Sequence, residues 1–187
     1  LAGTPSQPTL AAELATPRLG LPGVVRIKDA SLMADLGSRP DSPLRIDARV
    51  ANFDGVDQPG LIRRLDVHAE GTRRQHRLRV AGEIAGSNAL KLVIEGGVVD
   101  DARELQWSGR LLEASLVAAE RFRSFALVQP AAITLATAAW RVGPLVLAGD
   151  AWQLRLQADA GAQRLHVDVS GQGSRLGNIT GQLEATM

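Results

Sequence analysis

Hydrophobic and polar residues alternate one for one over most of this 187-residue chain. In Arg64-Leu65-Asp66-Val67-His68-Ala69-Glu70 the odd positions are apolar and the even ones charged or polar. Leu44-Arg45-Ile46-Asp47-Ala48-Arg49-Val50 repeats the pattern in the other parity, as do His76 to Val80 and Trp152 to Ala158, and Arg164 to Ser170 repeats it with the odd positions apolar. A period of two is that of the β-strand, whose successive side chains point to opposite sides of the pleat. Each segment therefore has one aliphatic face and one wet face. The pattern predicts strands near 24–34, 44–53, 63–71, 76–85, 89–96, 104–112, 124–128, 131–137, 144–148, 151–158, 163–171 and 178–186.

The connections carry hairpin chemistry. Asp54-Gly55, Ala85-Gly86-Ser87-Asn88, Gly96-Gly97, Gly143-Pro144, Gly149-Asp150 and Asp159-Ala160-Gly161 are turn chemistry, in which glycine and Asx residues tolerate positive φ. Short turns predict an antiparallel meander. Residues 1–23 hold four of the nine prolines and read as a loop or an edge segment, with a helical turn over Leu10 to Leu14 closed off by Pro17. Residues 24–187 read as one β-section of a longer parent chain. One stretch dissents: Leu111 to Arg121 has helix-forming composition and apolar residues near helical spacing, so a short helix competes there with a strand.

Composition changes the picture mainly by exclusion. A net charge of +1 with 22% charged residues leaves no basic footprint for nucleic acid. There is no cysteine, so neither disulfides nor thiolate metal sites exist. Aromatic residues make up 3% of the chain and tyrosine is absent, so the apolar faces are built of Leu, Val, Ile and Ala. His68, His76 and His166 stand in different strands among charges and read as solvated rather than metal-binding. Asp100-Asp101 reads as a solubilising turn. Gly171 to Gly177 has the wrong spacing for a phosphate loop and leads into a strand rather than a helix. No serine stands in a Gly-x-Ser-x-Gly elbow, Asn178-Ile179-Thr180 falls inside an alternating strand, and no cofactor is implied. The expectation is a protein that is not an enzyme.

From Gln106 onward the residues carry a resemblance. Trp107-Ser108-Gly109-Arg110-Leu111, then a short Phe-rich segment, then Leu127-Val128-Gln129-Pro130-Ala131-Ala132-Ile133-Thr134-Leu135, then Val142 to Leu147 and glycine-punctuated strands up to Leu183, resemble the conserved β-rich region of the TamB family. The first hundred residues resemble that family in pattern only. The TamB family groups with the AsmA-like and bridge-like lipid-transfer proteins. The resemblance implies an inner-membrane-anchored parent that spans the periplasm as a β-rich groove and works with the outer-membrane barrel protein TamA. It implies a part in moving phospholipid towards the outer membrane, or in assembling outer-membrane proteins and autotransporters.

The residues themselves point to a compatible shape. An amphipathic antiparallel sheet of about a dozen strands, twisted and coiled, makes an all-β open trough with an aliphatic interior. Leu65, Val67, Leu78, Val80, Leu92, Ile94, Leu154, Leu156, Leu165, Val167 and Val169 are its expected lining, which acyl chains would fit; the resemblance implies phospholipid or unfolded outer-membrane protein strands as the occupants. The rival is an ordinary β-sandwich, in which a second sheet covers the apolar face. A polysaccharide-binding module would show more Trp and Tyr platforms, an outer-membrane barrel would show aromatic girdles, and a β-helix a sharper repeat.

Overall fold

The computed structural model of the chain describes residues 9–21, 25–37, 39–55, 62–84, 88–101, 104–118, 124–161, 164–173 and 177–186. These residues form thirteen strands and no helix. They divide into two compact units, Leu1–Val93 and Ile94–Met187, with the boundary inside a strand rather than in a linker.

The first unit is an antiparallel meander of β1 (Thr9–Leu21), β2 (Val25–Gly37), β3 (Pro43–Gly55), β4 (Ile62–Thr72) and β5 (His76–Ile84), each strand pairing with the next. β6 (Asn88–Asp101) begins in this unit, where Leu90 packs beside Gly82, and ends in the second. Thr9–Leu21 is thus a full strand paired to β2, and the helical turn expected over Leu10 to Leu14 does not form. Its signal was weak because alanines occupy positions of both parities and Pro17 interrupts the period. The turn from β4 to β5 is tight: Thr72 donates its N–H to the Gln75 carbonyl at 2.7 Å. Gly71, just before it, has φ 134°, and a Cβ there would stand 2.4 Å from that same carbonyl oxygen.

A line of irregularities crosses the first unit. Pro17 of β1, Asp29 of β2, Asn52 of β3 and Arg63 of β4 fall out of the paired register at adjacent positions. Each is an extra residue that shifts the phase of its own strand by one. A slip of one residue would turn a strand's whole apolar set to the other side. Because all four strands bulge together, Ile27, Phe53 and Ile62 stay on the side that also carries Ala30, Val50 and Leu65. Asp29 and Asn52 both adopt φ 53°, a left-handed conformation that Asx side chains tolerate better than most.

The second unit contains the end of β6 with β7 (Glu104–Val117), β8 (Phe125–Leu127), β9 (Ala131–Ala136), β10 (Trp140–Gly149), β11 (Trp152–Gly161), β12 (Arg164–Gly173) and β13 (Gly177–Thr186). β8 and β9 both lie between β7 and β10, end to end, as one strand broken near Pro130. β10 answers that break with a register shift between Val142 and Leu145. Gly143-Pro144 is therefore a bulge inside a strand, not the hairpin turn its dipeptide advertised. Gly96-Gly97 likewise lies inside β6 rather than between strands, and Asp100-Asp101 closes the same strand.

The helix weighed against a strand over Leu111 to Arg121 is overruled as far as Ala118; residues 119–121 lie outside the described residues. β7 pairs Leu111 with Ala131 and Leu116 with Phe125. Two residues five apart then face the same side, so a bulge lies between them. That extra residue erases the period of two and leaves a spacing that imitates a helix.

Burial decides between a covered and an open apolar face. The buried apolar residues among those described are five alanines and two valines, and no large side chain is fully enclosed. A second sheet packed on either aliphatic face would bury its leucines and isoleucines, and they are not buried.

Replacing Asn52 with valine should destabilise the protein by about 1–2 kcal/mol, since a β-branched residue pays the full left-handed penalty, while glycine at the same position should cost nothing. Urea unfolding of the two variants measures this; equal midpoints would show that the bulge does not depend on its left-handed residue.

Candidate functional site

Cross-strand register turns the alternation of single strands into rows. In the first unit one row runs Leu14, Leu32, Ala48, Val67, Val80. The next runs Ala12, Ala34, Ile46, Ala69, Leu78, and that on the other side Thr16, Ala30, Val50, Leu65, Gly82. Residues opposite one another in an antiparallel pair share a face, so Leu65, Val67, Leu78 and Val80 stand on one aliphatic surface. Leu92 shares the parity of Leu90, whose Cβ lies 3.8 Å from where a Gly82 Cβ would be, and belongs to the same surface. This face is open at its β1 side, where Leu14 is 55% exposed.

The second unit repeats the arrangement. Its rows run Val142, Ala158, Val167, Leu183, then Leu145, Leu156, Val169, Gly181, then Leu147, Leu154, Gly171, Ile179. Leu154, Leu156, Val167 and Val169 therefore share a face. Leu165 falls in register with Ala160 and Trp140 on that face, and its side chain lies outside the described residues. Ile94 belongs to this unit and has the parity of Gly96, against which the Trp107 indole lies.

Glycines seat two of the aromatics. A Cβ on Gly96 would stand 2.5 Å from the Trp107 indole, and one on Gly109 would meet the same indole at 2.5 Å. Gly149 does the same for Trp152, whose indole a Cβ would approach to 2.4 Å. Phe125 packs on Trp152 at a centroid distance of 6.4 Å, with the rings tilted by 59°. The strand pattern alone did not reveal these seats, because glycine reads there as a turn signal.

The opposite face of the first unit is a lattice of charges. Arg45 donates to Asp47 at 2.8 Å, Asp47 meets His68 Nδ1 at 2.5 Å, His68 Nε2 lies 3.4 Å from Glu70, and Arg79 donates to Glu70 at 2.6 Å. A second chain links Arg49 and Arg64 through Asp66. Exposed pairs of this kind add little stability; paired across strands, they penalise a slipped register. Arg45 first, and then His68, hold the Asp47 carboxyl below the usual carboxylate range. Arg79 and then His68 lower Glu70, and Asp47 followed by Glu70 raises the His68 imidazole above its ordinary value.

The histidines do not gather. His68 and His166 stand on polar rows, the latter 2.9 Å from Asp168. His76 was expected on the wet face, but it shares the parity of Leu78 and ends an aliphatic row, with its Nδ1 3.2 Å from the Thr72 carbonyl oxygen. Among the described residues no group of His, Asp and Glu is arranged to hold a metal ion.

Sequence comparison adds one finding. Residues 1–143 match the family described as TamB, N-terminal domain. The match takes in the first hundred residues, where the motifs offered only pattern. No curated protein and no solved structure matches the chain.

Because both carboxylates favour the protonated imidazole, the stabilisation His68 supplies is complete below its unfolded-state pKa of about 6.5 and fades as pH rises through the higher folded value. An NMR titration should place His68 above the ordinary imidazole range, and Asp47→Asn should lower it. A wild-type value at or below that range would contradict the lattice.

Proposed function

Because the chain belongs to the TamB N-terminal-domain family, we propose that its open aliphatic faces are sections of a periplasmic conduit that shields phospholipid acyl chains on their way between the inner and outer membranes. The observation that carries this reading is the uncovered aliphatic face of each unit, on which leucines, isoleucines and valines stand in rows without a second layer over them. Each methylene moved from water onto such a face gains roughly 0.8 kcal/mol, so an acyl chain is a natural cover. A lipid on one face of a sheet keeps its headgroup free for water at the side. The protein would act by binding and guiding rather than by catalysis. In this reading the chain is a periplasmic part of an inner-membrane-anchored parent, and its outer-membrane partner is the barrel protein TamA.

A second reading has the faces hold amphipathic strands of unfolded outer-membrane proteins. The feature that favours it is the spacing of the rows: apolar residues recur on one face at every second position, as they do along an amphipathic strand.

Photo-crosslinking side chains separate these readings. Placed at Val80, Leu92 or Leu156 they should capture phospholipid, and placed at Arg79, Lys91 or Arg155 they should not. Equal capture from both sets would defeat the lipid reading, and capture of polypeptide alone would favour the second. In the full-length parent, Val80→Asp should interrupt transport while the protein remains folded, because an ionised carboxylate on the path must be either neutralised or hydrated.

A further inference from the structure

The chain has three tryptophans and no tyrosine, and all three tryptophans stand on the apolar face of the second unit. Trp107 and Trp140 share a row through Leu135, at the end of the strands where β10 begins. Trp152 opens β11 at the opposite end, in register with Gly149 and Gly173. Between these two ends lie the aliphatic rows of Val142, Leu145 and Leu147. Eight residue steps separate Trp152 from Ala160, the partner of Trp140, so the aliphatic band is about 27 Å wide. A count of aromatics gives no sign of borders; register places the three tryptophans at the two strand ends.

Position rather than number gives them meaning. An indole has a broad apolar body and one N–H, and it is favoured where an apolar surface meets polar surroundings. A tryptophan filling a core would be enclosed; Trp140 is 37% exposed and none of the three is buried. Trp107 and Trp152 are laid on glycines, a seating that a single methyl group would disturb. The first unit has the same kind of aliphatic rows and no tryptophan, so the borders belong to the second unit alone.

We infer that the two tryptophan-bearing strand ends of the second unit are where the polar end of a bound phospholipid meets the apolar face, with its acyl chains on the aliphatic rows between them. This inference rests on the lipid reading of that face and adds the orientation of the lipid on it. It also makes Trp140 and Trp152 positioning residues for the ligand.

The absence of tyrosine makes the test direct, because the emission comes from tryptophan. Three versions of the 187-residue chain, each keeping one tryptophan with the other two changed to Phe, are stripped of lipid and offered phosphatidylcholine. The lipid carries bromine near the carbonyl end of its acyl chains in one arm and near the methyl end in the other. Uptake is measured separately, by mass spectrometry of the protein after gel filtration, and flotation separates protein carrying single lipids from protein attached to vesicles. Trp140 and Trp152 should lose more emission to carbonyl-end bromine than to methyl-end bromine. Uptake with equal quenching, with the reverse order, or with no quenching would overturn the orientation while leaving the lipid reading intact. Quenching confined to vesicle-attached protein would overturn it in favour of a face that lies on a bilayer. Failure to take up lipid at all would overturn both.

Discussion

A pleated strand offers its side chains only two sides, and everything else in this protein depends on keeping those two sides in phase from one strand to the next. Local alternation gives each strand a greasy edge and a wet one. Rows appear only if neighbouring strands agree on which is which. The agreement is maintained where it is most easily lost. Pro17, Asp29, Asn52 and Arg63 interrupt their strands side by side, so the phase changes in all of them together. In the second unit the break near Pro130 and the bulge at Gly143-Pro144 adjoin in the same manner.

The charged face acts on the same constraint. The chain of contacts from Arg45 through Asp47, His68 and Glu70 to Arg79 contributes little as a set of exposed ion pairs. Its value is comparative, because a strand displaced by one residue would point these charges at leucines and valines. The aliphatic face, which has no such internal bonds, is held in place by its back. It can then remain uncovered without losing its order.

Most of the strands were legible from period two alone, and the expected lining residues with described side chains fall on the aliphatic parity. The misreadings share one cause. Wherever a strand carries an extra residue, as between Leu111 and Leu116, the period is lost locally and the segment imitates a helix. Wherever glycine serves a neighbour rather than a turn, as at Gly96 under Trp107, it reads as a false boundary. Thr9–Leu21 was legible only as a loop or an edge segment, because alanine marks neither face strongly. The division at Val93 has no linker composition to betray it, since it falls within a continuous strand. The tryptophan borders needed pairing register, which no single segment contains.

The central claim is that the aliphatic faces are uncovered, and the stability of Leu156→Arg tests it most directly. On an open face the arginine lays its aliphatic stem along the rows and carries its charge to water, so urea unfolding should show a loss of no more than about 1 kcal/mol. Beneath a second sheet the same charge would be stranded in an apolar layer, and a loss of several kcal/mol or failure to fold would contradict the account.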